Sequence, residues 1–163
     1  MTTVRCYVPL SAEQLSQLHD ERRLPGPLRA TAVTRSVRAS QPGADSEEWE
    51  HVAIQAAARG LVADGLPVIV AAVDLVDTEV DATRAEGPQV RVGEVILPRV
   101  AALHVGDDVV TSDPSTLPPP GGEEEIELSW YDTTEIAHVV ELVAALVTGA
   151  QDQAPLIPPD PAT

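Results

Sequence analysis

The sequence predicts an α+β domain: a mixed β-sheet of about five or six strands, with about three helices packed mainly on one face. Three observations carry this. Short alternating or β-branched runs recur along the chain, each bounded by Gly, Pro or acidic breakers. Segments of helical period, each preceded by a capping residue, separate some of them. The resulting order, β-α-β-α-β-β-β-β-α, repeats with no period of 20–50 residues and fits helices gathered against a sheet.

The elements follow in order. Residues 4–8 alternate, with Val4, Cys6 and Val8 on one face and Arg5 and Tyr7 on the other, which predicts a half-buried strand. Ser11 followed by Gln14 spells a capping box for a short helix carrying Leu15 and Leu18. PGP at 25–27 forces a turn, residues 28–34 form a second strand, and Thr34 caps a helical turn through Val37. Asp45 and Glu48 open a helix over 46–63, with an expected buried stripe of Trp49, Ala53, Ala56 and Gly60. Pro67 then opens VIVAAVDL, apolar on both faces and therefore suited to a central strand. An acidic loop, DTEVDATRAEGP, leads to strands at 89–92 and 100–105. Residues 126–131 alternate with Ile126, Leu128 and Trp130 inward, and Asp132 or Thr133 caps a last helix over 134–148. Its stripe is Ile136, Val139, Val140, Val143 and Val147. Residues 1–148 are thus expected to form a single domain with a flexible Pro/Gly/Glu loop at 111–125, and 149–163 a disordered tail.

With no Phe and only two Trp and two Tyr, the core must be built from Val, Leu, Ala and Ile. Ten Arg, with no Lys, oppose 26 acidic residues for a formal net charge of −16. Direct nucleic-acid binding and anionic membrane surfaces are disfavoured, because both require a basic footprint. A single cysteine, Cys6, excludes an internal disulfide framework, and its alternation with Arg5 and Tyr7 makes it a small buried residue. The start MTTVRCYVPL has no leader pattern and no run approaches the roughly 20 residues of a membrane span. A cytoplasmic chain is the expectation.

Two Glu-x-x-His pairs, Glu48 with His51 and Glu135 with His138, have the spelling of dinuclear metal sites in helix bundles. At 100° per residue, each His falls about 200° from the apolar ridge of its helix, on the side away from the core. No metal and no cofactor are expected. Asp77, Glu79 and Asp81 begin like a calcium loop, but Ala82 stands where the sharp turn needs Gly and Pro88 where a carboxylate should ligate. A phosphate-cradling glycine loop and a nucleophile elbow are both missing. The strongest catalytic arrangement is conditional. If the strands at 4–8, 67–74 and 100–105 lie parallel and adjacent, Tyr7, Asp74, His104, Asp107 and Asp108 meet at one sheet end. His104 beside a carboxylate would then be a general base.

Several stretches together resemble a family of small actinobacterial proteins of unknown function: CYVPLS, RATAVTRSVR, EEWEHVAIQAAA, VIVAAVDL, LPRVAALHVGDD and WYDTTEI, spanning most of residues 4–136. The resemblance implies a cytoplasmic single domain and brings no activity, cofactor or catalytic residue. The chain departs from it at VVTSDPSTLPPPGG, where the family pattern implies an Ala-rich helical segment. The first functional expectation is a non-enzymatic domain acting through protein–protein contacts or self-association, with an unknown protein partner or a homo-oligomer. Its interface would use edge strands and the acidic surface; in one variant that surface occupies the basic groove of a nucleic-acid-binding partner, with carboxylates in a stripe spaced like phosphates. A small-molecule enzyme around Asp74 and His104 is the alternative.

Overall fold

The computed structural model describes residues 2–82 and 86–153. The chain forms β1 (Thr3–Pro9), α1 (Ala12–Glu21), β2 (Arg23–Leu24), β3 (Leu28–Ala32), α2 (Arg35–Ser40), α3 (Ser46–Ala63), β4 (Ile69–Val76) and β5 (Val80–Asp81). It continues with β6 (Gln89–Val92), β7 (Val95–Ile96), β8 (Val100–Gly106), α4 (Asp107–Thr111), β9 (Leu128–Asp132) and α5 (Ile136–Gln153). Seven strands make one sheet in the order β5-β6-β3-β1-β4-β8-β9, and β2 with β7 makes a separate pair.

All six expected strands form, and the short β2, β5 and β7 add to them. The sheet is not mixed. Every strand pair among the described residues is antiparallel. The cause is the insertion of β1 between β3 and β4. These two run the same way across the α3 connection, but each meets β1 rather than the other. No parallel ladder arises from a connection that the sequence order alone would assign to one.

The helices do not gather on one face either. Cys6, Val8, Ile69, Ala71, Val73, Leu103 and Val105 face a core closed by α1, α4 and α5, through Leu15, Leu18, Val109, Val139 and Val143. On the other face Tyr7, Val70, Ala72 and Ala102 pack under α3 through Ala53, Ala57, Ala58 and Leu61. β4 supplies apolar residues to both sides, so each side needs a covering layer. The alanines on both surfaces of the second core let α3 lie close, with Tyr7 its one buried aromatic side chain among the described residues.

Capping follows the sequence. Ser11 and Gln14 form the reciprocal box on α1, the Thr34 hydroxyl accepts from the Val37 N–H, and Asp45 accepts from the Glu48 N–H. The turn at PGP brings the backbones of Gly26 and Gly93 together so closely that a Cβ on Gly26 would sit 2.5 Å from the Gly93 carbonyl carbon. Only glycine fits there.

Two stripes differ from expectation. On α3, Trp49 and Ala56 are half-buried and Gly60 is exposed, whereas Ala53, Gln55, Ala57, Ala58, Leu61 and Val62 are buried. The Trp49 indole is held off the sheet: its Nε1–H donates to the Gln41 carbonyl at 2.9 Å, and the Arg38 guanidinium lies 6.0 Å from its ring. On α5, Leu146 is buried in place of the expected Val147. That helix continues through Gln153, past the expected end at 148, and the rest of the expected tail, 154–163, lies outside the described residues. The GDD turn is the entrance to α4, whose Asp108 carboxylate accepts from the Val68 N–H at 3.2 Å.

Candidate functional site

The register decides what the predicted catalytic residues can do. β1, β4 and β8 are adjacent, as the arrangement required, but antiparallel. Their C-terminal ends therefore alternate between the two ends of the sheet. His104 pairs with Val70 and Asp74 pairs with Arg5, which separates the two by four positions along β4, about 13 Å at strand rise. Asp74 is held by Arg5, whose Nε–H and Nη2–H donate to its two oxygens at 2.6 and 3.1 Å. His104, half-buried, has its pKa lowered by burial and, to a smaller degree, by the Arg5 charge. Burial first, then the Glu50 charge, pushes the Tyr7 phenol up to about 12, and burial pushes the Cys6 thiol up to about 12. Asp107 sits at the far end, in the first turn of α4, and burial raises the pKa of its neighbour Asp108. The expected cluster is thus spread over the sheet. A concavity of about 520 Å³ lies elsewhere, beside Trp49, lined by Arg5, Arg35, Arg38 and Glu50 without His104 or Asp74 in its wall.

The two Glu-x-x-His histidines are separated by the whole sheet, since α3 and α5 cover opposite faces. His138 stacks at a tilt against Tyr131, with ring centroids 6.0 Å apart. His51 belongs to a different device. His51, Gln55 and Arg59 fall at i, i+4 and i+8, one above the next on α3, and all three grip the segment that leads into β9. His51 Nε2 lies 3.5 Å from Glu125 Oε1. Gln55 treats Ile126 as a strand neighbour would: its amide N–H donates to the Ile126 carbonyl and its amide oxygen accepts from the Ile126 N–H, both at 2.9 Å. Arg59 donates to the carbonyls of Glu123 and Glu124 at 3.2 and 3.4 Å. The acidic lead-in is thereby strapped across the sheet, with Ile126 buried and Leu117 packed against the α3-side core. The signal in the sequence is a lone Gln inside the small apolar run AIQAAA, which local periodicity does not connect to residue 126.

What the strap presents is β9. This strand pairs with β8 on one side and is the last in the sheet, so its other side carries backbone donors and acceptors that no strand among the described residues pairs. Leu128 and Trp130 do share a face, as the alternation implied, yet Trp130 is not inward. It is 62% exposed, because α3 lies over β1, β3 and β4 and stops short of the edge. Trp130 stands at the middle of β9, opposite His104, on a surface row that continues to Asp132. It has the greatest exposure among the large apolar side chains of the described residues.

The charge around this edge is one-sided. Through Arg99 the chain holds all ten arginines against fourteen acids; from Val100 onward it holds twelve acids and no Arg or Lys. Glu123, Glu124, Glu125 and Glu127 precede β9, and Asp132 and Glu135 close it. No helix among the described residues is long and apolar enough to cross a membrane.

The chain belongs to a family of unknown function, DUF6912, whose model matches residues 4–140. No curated protein and no solved structure matches it.

Proposed function

We propose that this protein is a contact-making domain of the cytoplasm, non-enzymatic, which binds a partner protein by adding an extended segment of it to the free edge of β9. The observation that carries the reading is Trp130, exposed at the centre of an edge strand whose outer side meets no other strand among the described residues. Unpaired ladder groups supply main-chain hydrogen bonds to an incoming strand, and an indole beside them supplies a large apolar contact of the kind that dominates interface energies. Native sheets ordinarily protect such edges with short strands, proline or charge within the strand. Within β9, charge comes only at the last residue, Asp132. The alternative of a small-molecule enzyme around Asp74 and His104 has weaker support, because Arg5 occupies the carboxylate and the register holds the imidazole away from it.

Site-specific crosslinking in the native host tests the reading. With photoreactive p-benzoylphenylalanine at position 130, irradiation is expected to give a discrete heavier adduct; at position 145, on the exposed side of α5, it gives none. Equal adducts at both positions, or none at 130, would sink strand addition at this edge.

A further inference from the structure

We infer that the segment received by β9 is basic: an extended stretch of a partner protein carrying Arg or Lys at alternating positions, one cation over the Trp130 indole and its neighbours against the carboxylates that flank the strand. This rests on the reading of β9 as a strand-addition edge and assigns the chemistry of its occupant.

Geometry supplies the first argument. A strand added beside β9 places one of its side chains about 5 Å from Trp130 on the α3-side row, and the residue two positions along beside Asp132. Alternation thus aligns every second residue of the newcomer with a ring face and then an acidic side chain. A cation within about 6 Å of an indole is attracted to its face. Among the described residues no cation lies over the Trp130 ring: its neighbour His104 has its proton affinity lowered by burial, and Arg5 is engaged by Asp74.

Charge supplies the second. Glu123, Glu124 and Glu127 are exposed and take part in no ion pair among the described residues. The nearby Arg59 is directed at main-chain carbonyls, and His51 meets Glu125 alone. The strap therefore holds free carboxylates beside the edge instead of letting them swing away.

The same charge argues against a second copy as the occupant. Antiparallel pairing of two β9 strands about Trp130 would set the 123–127 lead-in of each copy against the Asp132 and Glu135 end of the other, acid against acid, in a chain of net charge −16.

Three peptides added to the ¹⁵N-labelled full chain decide the matter: acetyl-Arg-Val-Arg-Thr-Arg-Val-Arg-Thr-amide, its Glu-for-Arg counterpart, and the Arg peptide N-methylated at alternate residues. The chain has two indole resonances, and Trp130→Phe assigns the relevant one. The Arg peptide is expected to shift the Trp130 indole and the amides of 128–132 saturably, leaving Trp49 in place. Its affinity should fall at least about tenfold between roughly 50 and 500 mM salt, as contraction of the Debye length requires. Joint replacement Glu124→Gln and Glu127→Gln should weaken it about threefold or more, whereas Glu141→Gln on α5 leaves it unchanged. The Glu peptide and the N-methylated peptide should do nothing. If the Glu peptide binds as well as the Arg peptide, the basic occupant is wrong while the edge reading stands. Should the N-methylated peptide bind as well as its parent, main-chain pairing is absent and the edge reading itself falls. Silence from all three peptides removes both. Shifts in 128–132 that arise on concentrating the protein alone, with a mass near twice 17.2 kDa, give the edge to a second copy and overturn the inference.

Discussion

At one edge of the sheet β5 contributes only Val80 and Asp81, and the strand behind it, β6, sets Arg91 between Arg29 on β3 and Asp81 on β5. At the other edge β9 contributes five residues, with an exposed indole in the middle and charge only at the last position. The first edge is short and carries charged side chains in its ladder, both of which discourage pairing. The second is long enough to template another strand, and its charge lies to either side of the strand. The difference teaches that the acidity of this chain is not a uniform coat. Asp77, Glu79 and Asp81 stand at the β5 edge too, but there arginines alternate with them in the chain, whereas from Val100 onward no Arg or Lys offsets the acids, and around β9 they repel another copy while favouring a strand of opposite sign.

The comparison can be broken most forcefully at the strap. Gln55→Ala leaves the buried N–H and C=O of Ile126 without partners, and at about 1–3 kcal/mol for each such group it should destabilise the fold by about 2–6 kcal/mol in urea unfolding. Native-state hydrogen exchange should then quicken in β9 far more than in β3 or β6. Equal quickening in all of them would mean that the strap supports the whole sheet and not one edge. Trp130→Ala comes next: an indole mostly in water should cost under about 1 kcal/mol, and a loss above 2 kcal/mol would show Trp130 to be a packing residue. At the opposite edge, Arg29→Thr removes a like-charge cross-strand pair with Arg91 and adds a β-branched residue, so a gain of a few tenths of a kcal/mol is expected by thermal unfolding. The smallest effect is that of His104. Its folded pKa lies below the usual imidazole value, so between the two the unfolded chain binds more protons. Stability from this group is complete above that usual value and is lost as pH falls through the folded one. NMR titration of the His104 ring should give a midpoint below 6.5, and a midpoint above it would place a carboxylate at the imidazole, reviving the catalytic alternative.

Much of the fold was legible because it rests on short-range rules. The Ser11 and Gln14 box, the Asp45 cap, the alternation that buries Cys6 and Val8, and the two-sided strand at 69–76 all depend on neighbours within a few positions, and each formed as spelled. The site was legible only in part. Alternation put Leu128 and Trp130 on one face correctly, but whether that face is covered depends on how far α3 reaches. Gln55 reads as a misplaced polar residue until Ile126, 71 positions away, is brought against it.

By itself, then, the sequence determined the six longer strands and the helices α1, α2, α3 and α5, though not the short β2, β5, β7 and α4; it also determined the caps of α1, α2 and α3, the lack of phenylalanine in the core, and that every Arg lies before Val100. Periodicity, capping and charge are properties of the chain read locally, and they survive any arrangement of the elements. Tertiary structure alone decided that β1 enters between β3 and β4, and this made the sheet antiparallel and drew His104 and Asp74 apart. It also decided that α3 stops short of β9, leaving Trp130 in water. Both outcomes come from packing between elements far apart in the chain, where the cost of closing long loops and the shape of the covering layer choose among pairings that local pattern leaves equal.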